Sequence, residues 1–248
     1  MSSSTKVALV SGASGYVGWE IARRLAADGL QVALLYNSAS GETLAARIKG
    51  MNGAGHRAYQ CDLSDETSVR AAIESTMRDF GRIDACVHAA WTKPKRKKLS
   101  LSTASDLREQ IEPNLYGSFN LLSECAAVFK KHGGGVMIGI TTESVLHPES
   151  AGSLGTYVAA KFALQGMLAA FKVELAVANV AVYSVAPGFM EGGMNSDLPK
   201  AFIEMEKRKN PSGALIEPED VAAVVSRLCT SDSLQNLGLT FPVNINQP

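Results

Sequence analysis

The sequence predicts an α/β fold: a doubly wound parallel sheet of about seven strands with helices on both faces. Three observations predict it. Short β-branched apolar runs recur along the chain, and several are apolar throughout, as expected of parallel strands covered on both faces. Longer amphipathic stretches alternate with them, and a βαβαβ rhythm closes into a parallel sheet with right-handed crossovers. The first run also passes straight into a glycine-spaced turn and a helical pattern, "SGASGYVGWEIARRLA".

The strands are expected at "KVALVSG" (6–12), "QVALLY" (31–36), "HRAYQCD" (56–62), "DACVHAA" (84–90), "GVMIGIT" (135–141), "VAVYSVA" (180–186) and "LTFPV" (239–243). "VGWEIARRLAADG" reads as the helix after the first strand, "ETSVRAAIESTMRDFG" as the one after the third, and "GTYVAAKFALQGMLAAFKVELA" as the one after the fifth. The segment 189–216, with "GFMEGGMNSDLP" and "RKNPSGALIEP", breaks the rhythm and reads as a mobile substrate lid. No Pro-, Gly- or Ser-rich linker and no internal repeat divides the chain, so residues 1–248 are expected to form one domain.

Composition excludes several function classes. Acidic and basic residues balance at 24 each, so neither nucleic acid nor an anionic membrane is indicated as the main partner. The cysteines at 61, 86, 125 and 229 have no metal-type spacing and read as buried residues in a reducing compartment. "MSSSTKVALV" lacks the apolar core of a signal peptide, and no apolar run is long enough to cross a bilayer. A soluble cytoplasmic protein is the expectation.

Three stretches carry chemistry. Gly12, Gly15 and Gly18 lie between a strand and a helix, where glycine lets the backbone approach a pyrophosphate resting on the helix N-terminus. At the end of the second strand stand Tyr36, Asn37 and Ser38. No carboxylate is there to bind ribose hydroxyls or repel a 2′-phosphate, which favours NADP(H) over NAD(H). Tyr157 and Lys161, four residues apart in "GTYVAAKFALQGM", fall on one helix face. A cation beside a phenol lowers its pKa, and a phenol so tuned can act as a general acid or base.

In this order these motifs resemble the short-chain dehydrogenases/reductases of the classical single-domain, 3-oxoacyl reductase-like kind, over nearly the whole chain. "IEPNLYGSFN", "CDLSD" and "SVAPGFMEGGM" match further family motifs. The resemblance implies a Rossmann fold and makes Tyr157 and Lys161 the catalytic pair, with Asn114 and a serine completing a tetrad. Ser144 lies at the family spacing of 13 residues before Tyr157 and is the choice; Thr142 lies nearer the strand end and also offers a hydroxyl. Lys161 is implied to bind the nicotinamide ribose, Asp62 the adenine, and Pro187 and Gly188 the nicotinamide pocket. Ser14, Tyr16, Val17, Leu63, Ala89, Ala90 and Met190 complete the expected cofactor contacts.

The sequence departs from the family pattern in four places. Tyr16 stands where the classical branch has a glycine. "HAAW" (88–91) replaces Asn-Asn-Ala-Gly, so Trp91 either crowds the cofactor edge or turns outward to line the substrate pocket. His88 reads as a satisfied structural residue. Gly192 replaces a threonine that would contact the cofactor. The run "KPKRKK" (93–98) concentrates five cations near the expected pocket mouth, and reads either as a solvated turn or as a device for attracting an anionic substrate.

The resemblance implies an NADP(H)-dependent oxidoreductase that moves hydride between the cofactor and a ketone or secondary alcohol. The substrate would be a small carbonyl compound or a 3-oxoacyl thioester on an acyl carrier or coenzyme A. A homodimer or homotetramer is implied through the helices holding Asn114 and Tyr157. The competing readings are a dinucleotide-sensing regulator without turnover, and an epimerase or dehydratase with retained nucleotide.

Overall fold

The structure, a computed structural model, describes residues 5–37, 41–231 and 237–244, with backbone alone for 41–43. All seven expected strands are present: β1 Val7–Ser11, β2 Gln31–Tyr36, β3 Arg57–Gln60, β4 Ala85–His88, β5 Gly135–Ile140, β6 Val180–Pro187 and β7 Thr240–Val243. They form one parallel sheet in the order β3-β2-β1-β4-β5-β6-β7. The register runs Leu9↔Ala33, Leu9↔Cys86 and Cys86↔Met137 through its centre.

Adjacent residues of a strand point to opposite faces, and the core divides accordingly. Val10, Val87, Ile138 and Tyr183 pack on one side with Ile21, Leu25 and Val225. Leu9, Cys86, Met137 and Val182 pack on the other with Leu121, Phe129, Leu164 and Leu168. Helices α1 (Tyr16–Ala27) and α8 (Pro218–Thr230) cover the first face and pack against each other. Helices α3 (Glu66–Phe80), α5 (Gly117–His132) and α6 (Gly155–Leu175) cover the second. Shorter helices α2 (Gly41–Ile48), α4 (Ala104–Ile111) and α7 (Lys200–Lys209) complete the chain.

Local chemistry sets the ends of α3. The Asp65 carboxylate accepts from the Thr67 N–H at its start, and Gly81 takes φ 75° at its end, a left-handed conformation that glycine adopts without steric cost. Between α4 and α5 the helix widens into a π turn, Glu112–Tyr116. Pro113 has no N–H to donate and its ring crowds the preceding turn, so the chain bulges there. Asn114 sits in that bulge.

The chain winds outward from β1 through β2 to β3, then crosses back to β4 on the other side of β1. This reversal opens a crevice at the carboxyl ends of β1 and β4, where doubly wound sheets bind ligands. The segment 189–216 holds a 3₁₀ turn (Gly193–Asn195) and α7. It is anchored by buried Ile203 and by an edge-on Phe189–Phe202 contact with centroids 5.9 Å apart. All four cysteines are buried and unbridged. No helix among the described residues is long and apolar enough to cross a membrane.

Candidate active site

A cavity of about 1150 Å³ runs along the crevice from the end of β2 to the lid. Every described residue expected at the site lines it. The glycine turn contributes Gly12, Ser14, Gly15, Tyr16, Val17 and Gly18; the end beside β2 and β3 has Tyr36, Asn37, Asp62 and Leu63. Ala89, Ala90, Pro187, Gly188 and Met190 line the middle, with Asn114, Ser144, Tyr157 and Lys161 beyond them. Ser38 lies outside the described residues.

The glycine turn is built for a phosphate. Gly12 has φ 68°, and a Cβ on it would lie 2.6 Å from the Ala90 nitrogen. The first turn of α1 has no side-chain cap and no acidic residue, so its leading N–H groups remain available to an anion. These residues fit the pyrophosphate of a dinucleotide.

Two sequence departures prove to be one. The Tyr16 ring lies against the Gly192–Gly193 turn, where a Cβ would come within 3.1 Å of Tyr16 Cζ and 2.9 Å of Tyr16 Cδ1 respectively. Both glycines have positive φ, 96° and 54°. The aromatic ring in the glycine turn therefore occupies the space that a threonine at 192 would need. Burial first, then the carboxylates of Glu217 and Glu219, push the Tyr16 phenol up, so it stays protonated.

Tyr157 and Lys161 lie one turn apart on α6 and face the cavity. Lys161 is 3% exposed. Its Nζ donates to the Ile140 carbonyl at 2.7 Å and sits 3.5 Å from the centre of the Trp91 ring. Trp91 meets Tyr157 edge-on with centroids 6.2 Å apart, and its buried indole N–H has no hydrogen-bond partner among the described residues. The Trp91 ring covers the lysine and lines the cavity.

Here the structure departs from the expectation that Lys161 lowers the pKa of Tyr157. Burial pushes the phenol up to about 12, opposed by the Thr142 side chain. Burial also holds the Lys161 ammonium well below its ordinary range. The physical reason is position: the lysine Nζ lies 5.7 Å from the Tyr157 ring centre and points to a carbonyl and an indole, while desolvation acts on both groups.

The two candidate hydroxyls are now distinguishable. Ser144 Oγ lies 3.0 Å from Ser150 Oγ, whose own proton goes to the His147 carbonyl at 2.7 Å. Ser144 thus donates away from the tyrosine. Thr142, just past the end of β5, lines the cavity, and its side chain opposes the rise of the Tyr157 phenol.

Asn114 is 3% exposed and fixed at both ends of its amide. Its Oδ1 accepts from the Thr92 N–H at 2.8 Å, and its Nδ2 donates to Thr92 Oγ1 at 2.8 Å and to the Gln110 carbonyl at 2.9 Å. Its own carbonyl accepts the Ser118 hydroxyl at 2.6 Å. That donation leaves the Ser118 oxygen to accept from His88 Nε2 at 2.7 Å, and His88 Nδ1 to accept from Ser11 Oγ at 2.8 Å. Burial, with the Lys161 charge, depresses His88 to about 3. His88 is a neutral, doubly satisfied brace between β1 and α5, as its place at the end of a buried strand implied. Its serine partners were not expected from sequence, because Ser11 and Ser118 are 77 and 30 residues away.

The basic run 93–98 is not a free positive patch. Lys93 pairs with Asp197 at 3.0 Å, Lys95 with Glu109 at 2.5 Å and Lys97 with Asp106 at 2.7 Å. Three of its five cations therefore stand beside a carboxylate.

The family model described as enoyl-(acyl carrier protein) reductase matches residues 12–244. The 3-oxoacyl-[acyl-carrier-protein] reductase FabG of Staphylococcus aureus is 28% identical over 242 residues, covering 97% of each chain. D-threitol dehydrogenase of Mycolicibacterium smegmatis is 32% identical over 225 residues, covering 88% of this chain and 83% of that one. The crystal structure of levodione reductase superposes with a TM-score of 0.88 at 26% identity, covering 96% of each chain. With the glycine turn, the Tyr157–Lys161 helix and the Asn114 bulge on one cavity, the chain belongs to the short-chain dehydrogenase/reductase family of oxidoreductases.

Proposed function

We propose that the protein is an NADP(H)-dependent carbonyl reductase acting on a ketone or secondary alcohol. The observation that carries this reading is the convergence of Tyr157, Lys161, Asn114 and Thr142 on the cavity that the glycine turn opens. A regulator without turnover has no need of a buried lysine one turn from a phenol.

The bound cofactor supplies or accepts the hydride. The protein's own residues place the substrate oxygen and handle the proton. Tyr157, protonated at neutral pH, donates its hydroxyl proton to the carbonyl oxygen. Thr142 holds the same oxygen and the phenol together, a role otherwise assigned to Ser144. Lys161 has N–H donors beyond the one spent on the Ile140 carbonyl, and it would bind the nicotinamide ribose with them. Asn114, set in the π turn and steadied by Thr92 and Ser118, holds the far end of the proton path.

Thr142→Ala is expected to lower kcat by about 10- to 100-fold. Ser144→Ala is expected to lower it by less than about threefold, since its hydroxyl is spent on Ser150. Steady-state kinetics of the two variants tests the assignment, and the reverse order would return the role to Ser144.

Cofactor choice rests on Tyr36 and Asn37, which bring no carboxylate to the end of β2. NADPH is expected to bind more tightly than NADH. Asn37→Asp would set a carboxylate against the 2′-phosphate, a repulsion of about 1–2 kcal/mol at the partly exposed edge, and weaken NADPH roughly five- to thirtyfold. Fluorescence titration of both cofactors reads this directly; equal affinities in the unaltered protein would refute it.

A homodimer or homotetramer is supported by the apolar residues that the π turn, α5 and α6 leave outside. Tyr116, Phe119 and Phe162 are 58%, 52% and 41% exposed, more than a lone chain usually leaves on neighbouring helices. The substrate reading extends to 3-oxoacyl thioesters, the substrates that the FabG relative's name carries. Assaying small ketones and 3-oxoacyl thioesters with NADPH and NADH tests the whole reading, and no cofactor consumption with any of them would favour the regulator.

A further inference from the structure

The basic run 93–98 carries one cation that no carboxylate matches and that lines the cavity: Arg96. Its guanidinium Nη2 donates to Asn195 Oδ1, and Asn195 Nδ2 donates to the Met190 carbonyl at 2.8 Å. Among the described residues Arg96 has no ion-pair partner, whereas Lys93 and Lys209, which also line the cavity, are paired with Asp197 at 3.0 Å and Glu206 at 2.6 Å. Asp197 lies near enough to feel the Arg96 charge, but it is bound to Lys93 and faces solvent. A guanidinium has five N–H donors, and a single hydrogen bond holds this one.

Its position is fixed from two sides. The Lys97 N–H donates to the Ser153 carbonyl at 2.7 Å, and Lys97 pairs with Leu154 in an isolated parallel bridge. Leu154 caps the start of α6, three residues before Tyr157. Asn195 belongs to the lid. Arg96 thus bridges the approach to the catalytic tyrosine and the lid, on the substrate side of the cavity. The walls there are Leu154, Phe189, Phe202 and Met205.

A half-buried guanidinium without a counter-charge among apolar walls is costly. A planar oxyanion would satisfy two of its N–H groups at once, in the forked geometry that arginine favours. We propose that Arg96 binds an anionic group of the substrate, so that preferred ketones carry a carboxylate or phosphate on an apolar body. The proposal rests on the reductase reading above and adds the substrate class. It replaces steering at a distance by direct contact, so it needs only one cation.

The test uses medium-chain 4-oxo and 5-oxo carboxylates, the matching oxoalkyl phosphates, and the methyl esters of the acids, each with NADPH. The unaltered protein is expected to prefer an anion over the ester, and the better anion names the group. Arg96→Gln is expected to lower kcat/KM for that anion about 30-fold beyond whatever it costs the ester, the worth of a charge-assisted pair. Asn195→Ala unties the lid but keeps the charge, so it should affect anion and ester alike. Equal losses in Arg96→Gln, or an ester reduced as well as the acid by the unaltered protein, would overturn the proposal. If neither class is reduced, the reductase reading fails. Calorimetric titration of the oxo acid then decides the anion site separately: Arg96-dependent binding keeps it, and no binding removes it.

Discussion

Replacing Tyr157 with phenylalanine is expected to lower ketone turnover by about 10²- to 10⁴-fold, the usual worth of a positioned general acid. NADPH affinity should stay within about threefold, because the ring and its edge contact with Trp91 are kept. The direction of the Tyr157 shift also fixes a pH dependence. Burial pushes the phenol up to about 12, so the proton donor is present throughout neutral pH. Reduction should then be nearly flat with pH until alkaline conditions deprotonate the phenol. Oxidation of the alcohol needs the phenolate and should rise with pH over the same range. Single-turnover rates in both directions, with the unaltered and Tyr157→Phe proteins, measure this. Near-normal turnover in Tyr157→Phe, or an oxidation rate that falls as pH rises, would remove Tyr157 as the acid–base group.

The second large effect belongs to Gly18. A Cβ there would collide with the Gly12 carbonyl oxygen and come 2.7 Å from the Gly12 carbonyl carbon. Both contacts are backbone, so nothing flexible can give way, and α1 would have to lift off the strand end. Gly18→Ala is expected to destabilise the fold by about 3–5 kcal/mol and, on the proposed reading in which the start of α1 holds the cofactor's phosphates, to abolish NADPH binding. Gly29 supplies the control. It has φ 91° and open space around it, so Gly29→Ala stores only left-handed strain, about 1 kcal/mol. Thermal melts of the two variants should differ severalfold in their shift. Similar shifts would mean that conformational freedom, not close approach, is what Gly18 provides.

Much of the site was legible because it is local. The glycine spacing, the Tyr157–Lys161 interval and the Asn114 segment each lie within one strand–turn–helix or one helix, where a few residues dictate geometry. Thr142 and Ser144 were not separable this way. They are two residues apart, and what distinguishes them is that Ser144 finds Ser150 in a 3₁₀ turn. Position in the chain could not show that the extra turn between β5 and α6 diverts one hydroxyl.

The lysine illustrates the same limit. Its spacing from the tyrosine implied a charged neighbour that lowers the phenol. Folding instead places Trp91, from the end of β4, over its ammonium, and burial then governs both groups.

By itself the sequence determined the seven-strand alternation, the crevice at the glycine turn and the residues along one wall of the cavity. Hydrophobic periodicity and glycine placement act over a few residues, and they leave few alternatives. Tertiary structure alone decided that Tyr16 and Gly192 share one space, that the cations of 93–98 are mostly spent on acids of α4 and the lid, and that Arg96 is left facing the cavity. Each of these is a contact between elements far apart in the chain. Its energy depends on distance and burial, which exist only once the sheet has assembled.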